Sequence, residues 1–287
     1  MGLLKFIKKT ITGAFAAITG IFMFVPEKFF QSDNWLTEEM LQKCTWIANW
    51  DVEAINTVLS RLRCFLIVIA ISAFLNLIWL LIRKWFTIRG DNYRIRVEYG
   101  NIFKTKKCKR IINFDECFTT KVGAGIADIK PTSICGQYLL ANPELDMPKL
   151  IESAHISPAR SKSKYQGKTR YDSGTIVPNG EDLLMAFARL DERGKGRFFS
   201  RDEYLECLNL LWIELENYYG DQDVCVPILG AGITSFDGGS GASISQQDLL
   251  DLMIWSYELS SHKIKAPHKL RIICKRNAGF SIDKIKG

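Results

Sequence analysis

The sequence predicts an α/β fold, a three-layer α/β/α sandwich with a mixed, largely parallel sheet, preceded by an α-helical two-span transmembrane hairpin. After about residue 90, strand-like and helix-like patterns alternate along the chain, which favours a parallel sheet covered by helices. The first 90 residues instead contain two uncharged apolar runs. The 287 residues therefore divide into a hairpin over 1–90 and a cytoplasmic domain over 91–287.

The hairpin is predicted from apolar runs at 10–26 and 64–82, the second of which would measure about 28 Å as a helix. We place the spans at about 10–26 and 64–83, with an outer loop at 27–63. Basic residues exceed acidic ones outside the hairpin but not in its loop, which predicts a multi-pass protein with cytoplasmic N- and C-termini. Lys5, Lys8 and Lys9 leave a secretory signal peptide open as the alternative. Asn76, in the second span, is a candidate for hydrogen bonding between helices of an oligomer.

The distribution of charge and the spacing of the cysteines argue against some classes of function. The net charge is +7, and much of the excess lies in a basic block over 83–110. Such a block beside an apolar helix fits an anionic membrane surface, so membrane lipid is a predicted partner and nucleic acid is not. The eight cysteines show no C-x-x-C spacing, which argues against a zinc site and favours a reducing compartment.

Eight elements are predicted in the second part of the chain, in the order strand, strand, helix, strand, helix, strand, helix, strand. Alternating or continuous apolar residues indicate the strands, and capping patterns with apolar faces indicate the helices. The predicted strands are 93–99, 108–113, 182–190, 224–229 and 269–275, and the predicted helices are 131–140, 200–219 and 245–260. A helix stays open as the alternative for 182–190, and the polar stretch 155–180 is predicted to be a surface loop.

The stretch 224–235, VCVPILGAGITS, organises this domain. Its apolar half predicts a buried strand, and Gly230 and Gly232 let the backbone approach a ligand closely. Ser243 or Ser245, followed by Asp248, then predicts the start of a helix. A strand, a glycine turn and a helix start together favour phosphate binding through backbone N–H groups, although a plain turn remains the alternative.

A second glycine turn, at 191–202, has the acidic spacing of a calcium-binding loop. Its third and fifth positions are Arg193 and Lys195, which are cations where calcium requires oxygen ligands. We therefore predict no metal site here.

Three motifs together resemble a known family: VPILGAGIT at 226–234, Gly100-Asn101-Ile102 after the first strand, and PTSICGQ at 131–137. They resemble the divergent macro domains of Thoeris antiphage effectors, and the paired apolar runs resemble the membrane-anchored (TM-macro) members. The resemblance implies a macro-like sandwich in a bacterial inner-membrane protein. It further implies binding of an ADP-ribose-type signal, histidine-linked ADP-ribose, made by a partner TIR-domain enzyme from NAD. Binding would oligomerise the protein, disrupt the membrane and arrest or kill the infected cell.

The resemblance also implies a set of ligand-binding residues. The diphosphate would be wrapped by Leu229, Gly230, Ala231, Gly232 and Ile233, with hydroxyl groups from Thr234 and Ser235. Asn101 and Ile102 stand where macro domains usually place Asp-Ile against the adenine amino group, which Asn101 could still bind through its amide oxygen. The distal ribose would face Asn113, Asp115, Phe118 and Thr119. Ser133, Gly136 and Gln137 match a serine-glycine-glutamine pattern of the divergent members.

Structural roles remain open for several of these residues. Asn113 and Asp115 could cap a turn, Ser133 could be a helix N-cap, and Gln137 could face solvent. We assign no catalytic residue and no cofactor, and predict a sensor rather than an enzyme. Two alternatives stay open: a membrane-tethered ADP-ribosyl hydrolase with Asp115 as its base, and an anchor that binds a protein partner through the basic block. Cys135 stands where histidine would be expected, which weakens the hydrolase alternative.

Overall fold

The computed structural model describes residues 3–24, 52–82, 84–198, 200–232, 235–236, 244–276 and 280–285. The chain forms two compact units, 1–83 and 84–287. The predicted outer loop 27–63 lies outside the described residues up to residue 51, and its last part is helical.

The first unit contains two packed helices, α1 (Leu3–Phe24) and α2 (Val52–Ile82). They run antiparallel, since Thr10 lies beside Ser72 and Phe15 beside Phe65. Ser72 Oγ donates to the Thr10 carbonyl oxygen at 3.2 Å, and Asn76 Nδ2 donates to Thr10 Oγ1 at 3.4 Å. Asn76 therefore has a hydrogen-bond partner in the neighbouring helix of its own chain.

Only one helix among the described residues is long and apolar enough to cross a membrane. It lies within α2 at Glu53–Ile78, 26 residues with a mean hydropathy of 2.1. The apolar part of α1, Thr10–Gly20, is shorter than a span requires. The predicted second span is thus supported by length and composition, whereas the first is not.

The second unit contains nine strands and four α-helices among its described residues. The strands are β1 (Trp85–Arg89), β2 (Arg94–Tyr99), β3 (Cys108–Asp115), β4 (Ile176–Asn179), β5 (Asp182–Leu190), β6 (Gly196–Phe198), β7 (Asp223–Pro227), β8 (Ser235–Phe236) and β9 (Leu270–Cys274). The helices are α3 (Ile134–Ala141), α4 (Met147–Ser153), α5 (Arg201–Tyr218) and α6 (Gln246–Leu259). Short 3₁₀ turns occur at Ile102–Lys104 and Ile282–Lys284.

The strands form one mixed sheet in the order β1-β2-β9-β7-β3-β5-β6-β8, with β4 also paired to β5. Strands β2, β9, β7, β3 and β5 are parallel neighbours, while β1, β4 and β6 pair antiparallel. The predicted mixed, largely parallel sheet is confirmed, and the stretch 182–190 is a strand. The long middle strands are buried, as their continuous apolar composition predicts.

Helices cover both faces of this sheet, which completes the predicted sandwich. Neighbouring residues of one strand point to opposite faces, so Ile111 belongs to one apolar core and Ile112 to the other. The first core contains the buried faces of α5 and α6, including Trp212 and Met253. The second core contains residues of α3 and α4, including Tyr138.

Five elements were not predicted: β1, β4, β6, β8 and α4. All are short, and four of them are strands outside the parallel middle of the sheet, where no continuous apolar run is required. Strand β1 begins before the predicted boundary at residue 90, so the sheet starts at Trp85. Trp85 is in this strand, and the Arg96 guanidinium carbon lies 4.8 Å from the centre of its ring.

Candidate functional site

A cleft of about 370 Å³ lies at the carboxyl ends of the parallel strands. The segments after β2, β3, β7 and β9 converge there, which is where ligands of open α/β sheets bind. Its lining consists of Gly100, Asn101, Ile102, Phe103, Asn113, Lys130, Thr132, Ser133, Ile134, Gln137, Pro227, Ile228, Gly230, Ala231, Gly232, Gln246, Ile273 and Lys275. The parallel topology thus brings together segments of chain that are distant in sequence.

The glycine turn after β7 forms one wall of the cleft. Gly230 has a φ of +82°, a left-handed conformation that a residue with a side chain rarely adopts. Among the described residues, no atom comes within 4 Å of where a Cβ on Gly232 would lie. Leu229, predicted as a ligand contact, is instead buried beneath the turn, where its carbonyl oxygen accepts from the Tyr204 hydroxyl at 3.1 Å. The turn is therefore open on the side that faces the cleft and is held on its buried side by a hydrogen bond.

Backbone donors are available at this turn. The Ala231 N–H makes a long bond of 3.4 Å to the Ile228 carbonyl oxygen. The N–H groups of Gly230 and Gly232 donate to no group within the described residues. Helix α6 begins nearby: Ser245 caps it by accepting from Asp248 N at 3.1 Å, and Gln246 lines the cleft. A helix N-terminus and free N–H groups together favour an anion.

The turn after β2 forms a second wall of the cleft. Asn101 caps the 3₁₀ turn, and its Oδ1 accepts from Phe103 N at 3.0 Å. The Ile102 side chain is buried against a small apolar cluster with Cys108, Cys225 and Ile273. Ile102 therefore offers the cleft mainly its backbone.

The start of α3 forms the third wall. Ser133 is the N-cap, as one reading of the sequence predicted: its Oγ accepts from Gly136 N at 3.0 Å and donates to the Lys130 carbonyl oxygen at 2.7 Å. A Cβ on Gly136 would lie 2.1 Å from that carbonyl oxygen, so only glycine fits there. Gln137 is half-buried, and its Nε2 donates to the Thr132 carbonyl oxygen at 2.9 Å.

A second cavity of about 630 Å³ adjoins the cleft and shares Asn113, Lys130 and Ser133 with it. Asp115 lines this cavity, and its Oδ1 accepts from Cys117 N at 2.8 Å and Thr119 N at 3.2 Å. Burial raises the pKa of Asp115, while these N–H groups act in the opposite direction. Burial, followed by the Asp115 charge, also raises the pKa of the Cys135 thiol.

Five predicted contacts are not on the described cleft surface. Phe118 is buried between Phe114 and Tyr171, and Thr119 serves the turn at Asp115 through its N–H group. Ile233 and Thr234 lie outside the described residues, while Ser235 begins β8 and its side chain is not described.

The sequence interpretation missed the two lysines of the cleft, Lys130 and Lys275. Lys130 Nζ donates to the carbonyl oxygens of Ala124 and Gly125, both at 3.0 Å, which fixes it between the two cavities. Lys130 directly precedes Pro131 of the PTSICGQ motif, and this position was the sequence signal that could have placed it in the site.

The turn at Asp191 adjoins the second cavity. The Asp191 carboxylate is held by hydrogen bonds and an ion pair within the protein. Asp191 Oδ1 accepts from the N–H groups of Arg193 and Lys195, both at 2.9 Å, and Oδ2 pairs with Arg197. The acidic residue that suggested a calcium loop thus organises the turn between β5 and β6.

Comparison with known proteins agrees with this architecture. Residues 95–275 match the family described as Thoeris protein ThsA, Macro domain. The chain is 27% identical over 232 residues to Thoeris protein ThsA of Bacillus amyloliquefaciens (strain Y2), covering 75% of this chain and 76% of that protein. Among solved structures, it resembles the macrodomain of Thermus aquaticus DarG (14% identity, TM-score 0.35, 64% of this chain and 98% of that one). It also resembles the Oceanobacillus iheyensis macrodomain with ADP (10% identity, TM-score 0.40, 67% and 89%). Because the family match spans most of the chain, this protein belongs to the Thoeris ThsA macro domain family.

Proposed function

We propose that this protein is a membrane-anchored Thoeris effector whose cleft binds an ADP-ribose-type signal, histidine-linked ADP-ribose. The observation that carries the proposal is the glycine turn beside the start of α6, where the N–H groups of Gly230 and Gly232 donate to none of the described residues. Such a site suits a diphosphate, because N–H donors and the helix dipole both favour negative charge. Lys130 and Lys275 add positive charge to the same cleft.

The size and shape of the site also support a ligand longer than a nucleotide. The cleft between Asn101 and the glycine turn would hold the adenosine and the diphosphate. The adjoining cavity beyond Asn113 would hold the distal ribose and the linked histidine. A drug-sized ligand typically occupies about 300–1,000 Å³, which is the range of these cavities.

The proposed action is a shift between assembly states. A partner TIR-domain enzyme makes the signal from NAD, and the ligand stabilises the assembly that binds it better. The apolar helix α2 and membrane lipid then carry the effect into the membrane as an oligomer forms. The protein itself performs no chemistry on the signal.

The test is calorimetric titration of the full-length protein in lipid nanodiscs with ADP-ribose and with histidine-linked ADP-ribose. We expect micromolar or tighter binding, and recovery of the intact ligand afterwards. Gly232→Glu adds bulk and negative charge in open space, so it should reduce affinity at least tenfold without unfolding the protein. Ala141→Glu, at an exposed position of α3 outside the cleft lining, is the control and should bind normally. Absence of binding to both ligands would contradict the proposal.

The alternative, a tethered ADP-ribosyl hydrolase, rests on Asp115, a buried carboxylate in the second cavity. A base there would need an ionised carboxylate and a positioned water. Asp115→Asn keeps an oxygen for the turn but removes the base. Under the sensor proposal this variant binds the signal, and neither the wild type nor the variant breaks the signal down. Breakdown of the ligand by the wild type, abolished by Asp115→Asn with binding retained, would establish the hydrolase instead.

A further inference from the structure

Two amide side chains line the same cleft, and the hydrogen bonds of the protein fix which end of each faces the ligand. Asn101 is at the N-cap of the 3₁₀ turn, and Gln137 is in the first turns of α3. Phe103 and Ile134, which lie two and three residues from these amides in the chain, pack against the same apolar cluster. Both amides line one cleft of about 370 Å³.

The Asn101 amide presents its nitrogen to the cleft. A backbone N–H group can only donate, so the atom 3.0 Å from Phe103 N must be the Asn101 oxygen. The Nδ2 group is left over and donates to no other group in the part of the chain that the structure describes. An aspartate at this position would instead offer a second oxygen.

The Gln137 amide is fixed in the opposite sense. A carbonyl oxygen can only accept, so the atom 2.9 Å from the Thr132 oxygen must be Nε2. The Oε1 atom accepts no hydrogen bond from the described residues. Gln137 thus offers an acceptor where Asn101 offers a donor.

We infer that Gln137 Oε1 accepts a hydrogen bond from the adenine amino group and that Asn101 Nδ2 donates to the adjacent ring nitrogen. The inference rests on the proposed function and specifies how the cleft selects its base. Adenine presents a donor amino group next to an acceptor nitrogen, which complements this pair. Hypoxanthine presents the reverse, an acceptor oxygen next to an N–H donor, and meets like groups at both positions. The roles differ from the expectation that Asn101 accepts from the amino group through its oxygen.

The test compares ADP-ribose with its hypoxanthine counterpart by calorimetric titration of the full-length protein in nanodiscs. The wild type should prefer ADP-ribose by about tenfold or more, because hypoxanthine sets like groups against both amides and leaves them wrongly paired. Gln137→Leu removes the acceptor and should reduce this preference severalfold.

Asn101→Asp is the decisive variant, because it keeps the cap on Phe103 N and replaces the free donor by an acceptor. The inference predicts a smaller preference for ADP-ribose, since a carboxylate oxygen repels the ring nitrogen of adenine but accepts from the N–H of hypoxanthine. A ratio of two affinities cancels the general effect of the added charge. A larger preference in Asn101→Asp, or an unchanged one in Gln137→Leu, would overturn the assignment. Equal affinity of the wild type for both nucleotides would overturn this assignment but not the proposed function. Failure to bind either nucleotide would overturn both.

Discussion

At the scale of single residues, the site depends on polar side chains that also make hydrogen bonds within the fold. Asp115 holds the turn after β3, Ser133 caps α3, and Asn101 caps the turn after β2. Each of these also lines a cavity, so structural and binding roles coexist in one side chain. A substitution must therefore preserve the cap if it is to report on the ligand.

Asp115→Asn should raise stability at neutral pH. Burial raises the pKa of Asp115 in the folded protein. Its favourable contribution to the free energy of unfolding is therefore fully present below the unfolded pKa, near 3.8, and is lost as the pH rises through the folded pKa. Asparagine avoids this loss while its Oδ1 can still accept from Cys117 N and Thr119 N. We expect a gain on the order of 1 kcal/mol, or about 2–4 °C in Tm, at pH 7.

Thermal unfolding of both proteins between pH 3.5 and 7.5 checks this prediction. The difference in Tm should shrink towards zero at the acid end, where both side chains are neutral. A variant that is less stable than the wild type at pH 7 would show that the negative charge of Asp115 is needed by the fold.

At the scale of elements, close packing at the start of α3 shapes the cleft. Gly136→Ala would place a Cβ 2.1 Å from the Lys130 carbonyl oxygen, so α3 or the 130–133 segment must move. We expect a loss of about 1–3 kcal/mol in the free energy of unfolding, because the contact is with backbone. Ligand affinity should fall too, since Ser133 and Gln137 would be displaced.

Urea unfolding in detergent, monitored on the sheet signal, measures this effect. Gly100→Ala is the matched control: it lies in the same cleft, but the nearest atom to its added Cβ is 3.7 Å away. It should change stability by less than about 0.5 kcal/mol. Equal effects of the two substitutions would contradict the packing argument.

The pair of helices α1 and α2 offers a second element-scale test. A Cβ on Gly13 would lie 3.3 Å from Ser72 Oγ, whereas a Cβ on Gly20 meets none of the described residues within 4 Å. Gly13→Ile should therefore separate the helices and lower the thermal stability of this unit in detergent, and Gly20→Ile should not. Circular dichroism of the detergent-solubilised protein would detect the difference. If both variants unfold alike, the described helix contact is absent in solution.

At the scale of the whole molecule, the chain combines an apolar helical unit with a sheet domain that has its own core. We predict that the full-length chain remains with the membrane fraction after alkaline carbonate washing, because Glu53–Ile78 is long enough to span. The same protein carrying Leu66→Arg and Phe74→Arg, both at exposed positions of α2, should move to the soluble or aggregated fraction. Retention of this variant in the membrane would point to another anchor.

Much of the sheet domain followed from the sequence, because buried parallel strands need continuous apolar runs and helices need caps. The strands around Ile112, Met185 and Val226 and the helix capped by Ser200 illustrate this. The short strands β6 and β8 are specified by pairing with distant chain rather than by local pattern, so they could not be predicted.

The sequence by itself determined the fold class, the family and the glycine turn of the site, because these depend on local composition and motif order. Only the tertiary structure decided which residues meet. It buried Phe118 and Leu229, brought Lys130 and Lys275 to the cleft, and gave Asn76 a partner in α1. It also fixed which end of the Asn101 and Gln137 amides faces the ligand. An amide carries both a donor and an acceptor, so its role depends on a neighbour that folding supplies.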